Sequence, residues 1–313
     1  MSKTELFVRK QAGGMFTVTN EAMTTGSIFW VHNSTGTDAA GNGQNPDSPF
    51  ATIDYAIGKC TANKFDRIMV MPGHSETVTG AGGITVDVAG VSIIGMGGYS
   101  LNPQILMDGA NTVTCLITAA NVTLENLTFK AGHADIAIWG KVTGKGCTIK
   151  NCRFIENTAG ENWVDVIHAG TADNDYDGLV IDGCEFIMDD AACVTAIDLL
   201  KNSKDVKILN NRITGDFDAS PFAPVYSANT EIHKNILVEN NLIHNAHNGD
   251  AVTGISIANV DSTGWIIRNH VGHQDIAGET PILAGAAGLY VGENYASGVL
   301  GTASGYIYPA IDS

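Results

Sequence analysis

Six nine-residue stretches decide the fold: Asn121-VTLENLTF, Gly146-CTIKNCRF, Gly178-LVIDGCEF, Asp205-VKILNNRI, Asn235-ILVENNLI and Gly264-WIIRNHVG. Gly90-VSIIGMGG is an earlier, weaker copy, and the spacings between starts run from 25 to 32 residues. Helical repeats of fixed length do not tolerate that unevenness, whereas a β-solenoid does, because its turns accept insertions. Within the phrase the second and fourth positions are apolar and the third and fifth mostly polar, the period of a strand with one buried face. Stacking the copies predicts a second-position column of Val91, Val122, Cys147, Leu179, Val206, Ile236 and Trp265, pointing inward. The sixth position carries Gly95, Asn126, Asn151, Gly183, Asn210, Asn240 and Asn269. These residue types tolerate the left-handed backbone of a sharp bend, and their stacked amides are expected to form a hydrogen-bonded ladder. The ninth position returns to the core with Phe129, Phe154, Phe186, Ile213 and Ile243.

A second strand per coil shows in Ile84-TVDV, Thr112-VTCLIT, Ala134-DIAIWG, Trp163-VDVIHAG, Cys193-VTAIDLL and Ala251-VTGISIAN. The fold expected is therefore all-β, a right-handed single-stranded parallel β-helix of about eight to nine coils over residues 66–295. An open end exposes strand edges and core, so caps are expected. Residues 28–65 read as an N-terminal cap holding a short helix over 48–63, with Ser48 and Pro49 as start signals and Phe50, Ile53, Tyr55, Ile57 and Cys60 as its plug. Gly288-LYVGENY reads as a last coil with its register shifted by one. Residues 1–27 read as an arm and 296–313 as a small C-terminal tail.

With 36 glycines among 313 residues and only 16 % charged residues, the composition suits many turns rather than long helices. The formal charge of −16 repels phosphate backbones, so nucleic acid is not an expected partner. No stretch has the roughly 20 apolar residues that cross a bilayer, and the start lacks a signal-peptide run, so no membrane is expected and folding is expected in the cytosol. Cys60, Cys115, Cys147, Cys152, Cys184 and Cys193 show no metal-binding spacing and read as reduced core thiols, Cys152 and Cys184 sharing one inward column.

The run Gly26-SIFWVHNSTGTDAAGNGQNPDSPFATIDYAIGKC, followed by Val70-MPGHSETV and the coils, resembles the opening of bacteriophage virion proteins with a tailspike-like β-helix, of the capsid cement or decoration type. The resemblance spans residues 26–295. It implies a homotrimer on the capsid surface of the virion, assembled in the host cytoplasm, whose arm engages the major capsid protein.

An enzyme is the rival reading, a tailspike-like protein that binds or degrades polysaccharide. Glycosidic cleavage needs two suitably separated carboxylates, or an acidic calcium site beside a basic proton acceptor. Asp189-Asp190 is the only adjacent carboxylate pair, and the Gly-His-Gly and Arg-Ile-Lys elements that accompany such a pair in pectin hydrolases do not occur, nor does the arginine-proline motif of pectate lyases. The pair reads as a solvated turn or a site. Asp173-Asn-Asp-Tyr-Asp177 alternates carboxylates like a calcium loop without the EF-hand glycine and distal glutamate, and reads as an acidic loop or a calcium site. His244-Asn-Ala-His247 and His270-Val-Gly-His273 place His244 and His273 at equivalent phrase positions, a polar stack or a metal pair. Of Trp30, Trp139, Trp163 and Trp265, the last reads as core, while Trp139 and Trp163 read as facing a neighbouring subunit or a glycan. No catalytic residue, cofactor or metal ligand is assigned, and the expectation is a non-enzymatic structural protein.

Overall fold

The computed structural model describes residues 8–9, 16–17, 26–217, 223–247, 253–273, 281–285, 288–300 and 303–309. Three sheets run side by side. The first has ten strands, from Ile28–Val31 and Arg67–Val70 to Leu289–Gly292, and the second has ten, from Ser75–Thr79 to Tyr295–Leu300 and Ala303–Pro309. The third has eight, from Ile84–Val86 to Ile282–Ala284. The chain visits them in rotation and, up to Tyr295–Leu300, each strand pairs in parallel with its equivalent one coil away, as Leu124 does with Ile93 and Ile149. That is a parallel β-helix, and eight coils carry all three strands.

The short strands follow from the bends that flank them. Sixth-position Asn126, Asn151, Asn210 and Asn240 have φ of 52–56°, and first-position Asn121, Asp205 and Asn235 have φ of 57–59°. Asparagine and aspartate accept this left-handed backbone more readily than other residues with a Cβ. Between two such corners only three or four residues remain to pair.

The buried amide ladder is one position beyond the expected column. Sixth-position side chains face outward, and the seventh-position Asn211, Asn241, Asn269 and Asn294 are all buried. Asn211 Nδ2 donates to Asn241 Oδ1 at 2.9 Å, Asn241 Nδ2 to Asn269 Oδ1 at 2.9 Å and Asn269 Nδ2 to Asn294 Oδ1 at 3.0 Å. Each Nδ2 also donates to a fourth-position carbonyl one coil back, and each Oδ1 of Asn241, Asn269 and Asn294 accepts the preceding asparagine's backbone N–H. Full satisfaction is what makes buried amides tolerable, since an orphaned one costs about 1–3 kcal/mol.

The same register corrects the sixth copy. Gly264 pairs with Ile236 and Ile266 with Val238, so the phrase starts at Thr263 and Asn269 belongs to the seventh column. Arg268, φ 57°, holds the sixth position. Gly264 occupies the inward second position at φ 138°, where a Cβ would lie 2.0 Å from Ile236 O. Trp265 consequently points outward and is 47 % exposed, not core. Gly288-LYVGENY is in regular register, Leu289 pairing with Gly264.

Along the first coils the ninth position forms a ring stack, Phe129 on Phe154 at 5.6 Å and Phe154 on Phe186 at 4.8 Å, with Trp139 set edge-on at 4.7 Å from both Phe129 and Phe154. Trp139 and Trp163 are wholly buried in this chain's own core, so neither faces a neighbouring subunit or a glycan. The reason is the long strands Ile136–Val142 and Trp163–Ala169, which bring both indoles inside. Burial of side chains this large contributes roughly 1.5–3 kcal/mol each.

At the N-terminal end the helix spans only Ile53–Ile57, shorter than expected, because Phe50 still bridges to Val31 and Thr52 is the cap, its side chain accepting the Tyr55 N–H at 3.3 Å. His74 Nδ1 accepts the Asn33 N–H at 3.0 Å, which leaves Nε2 as the donor to Glu76 Oε2 at 3.2 Å; that carboxylate also accepts the Ile53 N–H at 3.1 Å. The Met-Pro-Gly-His segment thus ties the plug to the first coil. Of the arm, Val8–Arg9 pairs antiparallel with Phe16–Thr17, and the rest of residues 1–25 lies outside the described residues. In the tail, Tyr295–Leu300 pairs antiparallel with Ala303–Pro309; 301–302 and 310–313 lie outside. No helix among the described residues is long and apolar enough to cross a membrane.

Candidate functional site

The outer face of the third sheet carries a row fixed by strand register: Leu116, Lys141, His168, Asp198, Tyr226 and Ser256 succeed one another coil by coil. Beside it, Asp165 pairs with Thr195. This brings two carboxylates onto one imidazole, His168 Nε2 lying 3.2 Å from Asp165 Oδ2 and 3.8 Å from Asp198 Oδ2. Thr195 Oγ1 donates to Asp165 Oδ1 at 2.6 Å, which holds that carboxylate as an acceptor. Asp198 is 6 % exposed, and its Oδ1 makes no hydrogen bond among the described residues; His168 Nε2, though at ion-pair distance, is not aligned for one either.

Burial pushes the Asp198 carboxyl up to about 6, with His168 pulling it down and Asp165 raising it. Burial, and then Asp198, raise the Tyr226 phenol. A carboxyl that keeps its proton into the mildly acidic range can donate it, and the second carboxylate beside it, held as an acceptor by a hydroxyl, can take one up. Sequence reading missed this cluster although Asp165 and His168 stand in Trp163-VDVIHAG and Asp198 in Cys193-VTAIDLL; laying those two strands in register was the signal available.

The residues singled out from sequence lie elsewhere. Asp189 is exposed in the strand Glu185–Cys193, where pairing with Arg212–Phe217 shifts register between Met188 and Cys193, and not in a turn; the Asp190 side chain lies outside the described residues. The Asp173–Asp177 carboxylates hold their own loop: Asp175 Oδ2 accepts from Thr171 and Ala172, Asp173 from the Asn202 N–H, and Asp177 from the Lys204 N–H. His244 pairs with Gly272, whereas His273 pairs with Asn245 and points inward, so the two histidines are not equivalent; the one-residue offset at Thr263 is the cause. Burial, and then His244, lower His273 to about 4. Among the described residues no group of three or more His, Cys, Asp or Glu is arranged to hold a metal. All six cysteines are free thiols and all but the half-buried Cys60 are buried, Cys152 and Cys184 in the seventh column. Trp30 is half-buried on the outer face of the first sheet.

A second surface feature lies on the second sheet, where Leu242, His244, His270, Gly272 and Tyr295 line a groove of about 410 Å³. The His270 and Tyr295 rings stack at 5.2 Å.

A family model described as "Right handed beta helix region" matches residues 89–263. Among solved structures, the chain is similar to a rhamnogalacturonan lyase at 15 % identity, covering 86 % of this chain and 87 % of that one with a TM-score of 0.41. It is similar to the pectate lyase Pel9A, also at 15 % identity, covering 87 % of this chain and 79 % of that one with a TM-score of 0.45. These likenesses are too distant to bear on activity. No protein with a curated description matches the chain. With more than half its length matched and its strands wound in parallel coils, the chain belongs to the right-handed β-helix family.

Proposed function

We propose that the chain binds polysaccharide and hydrolyses a glycosidic bond at Asp165 and Asp198. The observation that carries this reading is the convergence of both carboxylates on His168, at 3.2 Å and 3.8 Å from its Nε2. Asp198, protonated, gives its proton to the glycosidic oxygen. Asp165 takes a proton from a water that adds to the anomeric carbon as the carbon–oxygen bond breaks, leaving a hemiacetal and an alcohol; proton return from Asp165 to Asp198 through solvent closes the cycle. His168 is a positioning residue between them. Incubating the full chain with a panel of neutral and acidic polysaccharides tests it: a ladder of oligosaccharides from at least one is expected, absent with Asp198→Asn. Lack of products across the panel overturns the reading.

A second reading, the non-enzymatic capsid cement protein, is favoured by a different observation. On the outer face of the first sheet Leu237, Trp265 and Tyr290 form an apolar row, beside a row in which Glu239 stands between Leu209 and Ile267, and Trp265 and Tyr290 are about half exposed. Such a face suits a protein partner. In this reading the chain is a homotrimer on the capsid surface of a phage virion, and its arm binds the major capsid protein, three linked footholds adding avidity. Sedimentation giving a trimer that Trp265→Ser dissociates supports it, and a monomer at all concentrations contradicts it.

A further inference from the structure

We infer that the groove on the second sheet is a binding site for a neutral, extended oligosaccharide, separate from the Asp165–Asp198 cluster. Its walls come from equivalent positions on three successive strands, Leu242 pairing with His270 and His270 with Tyr295. The side chains therefore repeat along the rod axis at the strand spacing of about 4.8 Å, close to the length of one sugar unit in an extended chain, so each coil presents one apolar or aromatic side chain per sugar. Leu242 and Tyr295 are half exposed, and the paired rings of His270 and Tyr295 leave a rigid, ready-made surface for the C–H faces of pyranose rings. Gly272, in the row of His244, sends no side chain into the groove and leaves room there for a sugar substituent.

Charge selects the ligand class. Among the described residues the lining contains imidazoles and a phenol but no carboxylate, which suits hydroxyl donors and acceptors, while the chain's formal charge of −16 repels polyanionic glycans at long range. The occupant that fits is an uncharged chain of two or three sugars lying parallel to the rod, and the inference stands on these residues whether or not Asp198 cleaves.

Titration calorimetry of the full chain with cellohexaose, maltohexaose and mannohexaose, and with hexagalacturonate as the anionic control, tests it. At least one neutral hexasaccharide binds, and Tyr295→Ala and His270→Ala each weaken binding roughly tenfold or more. Because both substitutions are at the surface, circular dichroism should show intact folding; imidazole NMR signals of His270 in the unaltered chain should also shift on ligand addition. Binding only of hexagalacturonate, no binding, neutral-sugar binding indifferent to both substitutions, or loss of self-association as their sole effect would each overturn the site.

Discussion

The early and late coils share a backbone and differ in what fills it. In the coils from Asn121 to Cys193 the seventh column holds Leu127, Cys152 and Cys184, the ninth stacks three phenylalanines, and Trp139 and Trp163 are inside. In the coils from Asp205 onward the seventh column holds four hydrogen-bonded asparagines, the ninth holds Ile213, Ile243 and Val271, and, with Phe217 inside, Trp265, Tyr290 and Tyr295 face outward. One half is held by ring packing and the other by a polar ladder. The late half is therefore the one with aromatic surface free to meet a ligand, and both the groove and the apolar face lie there.

The largest effect is expected in the aromatic half. Trp139→Ala removes the indole set edge-on against both Phe129 and Phe154 and should cost about 3–5 kcal/mol in urea unfolding; a loss near 1 kcal/mol would mean the neighbouring side chains close over the gap. Next comes the ladder. Asn241→Ala takes the acceptor from the Asn211 N–H, one of two acceptors from Asn211 Nδ2, and a donor each from the Ile208 carbonyl and Asn269 Oδ1, and should cost about 3 kcal/mol, well above the ~1 kcal/mol net of an ordinary hydrogen bond. A cost under 1 kcal/mol would show that water replaces the amide. The smallest effect falls at the border between the halves. Cys184 already directs its Sγ to Ile149 O at 3.5 Å, and its N–H donates to Asn211 Oδ1 at 2.9 Å, the contacts an asparagine makes one coil later. Cys184→Asn should extend the ladder and change stability by less than about 1 kcal/mol, measured by the same unfolding curves, whereas destabilisation beyond about 2 kcal/mol would make the two halves incompatible rather than continuous.

Most of the architecture was legible because inward positions are chemically strict. Val122, Leu179, Val206 and Ile236 alternate with polar neighbours, and asparagines mark the corners. Legibility failed where both cues lapsed together: Trp265, Ile266 and Ile267 are apolar in succession, so alternation sets no register, and Arg268 stands at the corner where the six preceding copies have Asn or Gly. From that one-residue slip came the misplaced Trp265 and the false equivalence of His244 and His273. The candidate site was illegible for another reason. His168 and Asp198 are 30 residues apart and meet only through strand register, across a stretch whose length differs from coil to coil. Outward positions carry no packing constraint, so nothing in their local pattern distinguishes a working carboxylate from a solvated one.

The central claim, an acid–base pair on the third sheet, is tested most directly by the pH dependence of polysaccharide cleavage in the unaltered chain and in Asp198→Asn. Asp198 must be protonated to act, and its carboxyl is raised to about 6, so the rate should fall as pH rises through about 6, and the asparagine variant should lose roughly a hundredfold or more below about pH 6, the gap narrowing above it. A profile flat across that range, or a variant as active as the original, would contradict the assignment.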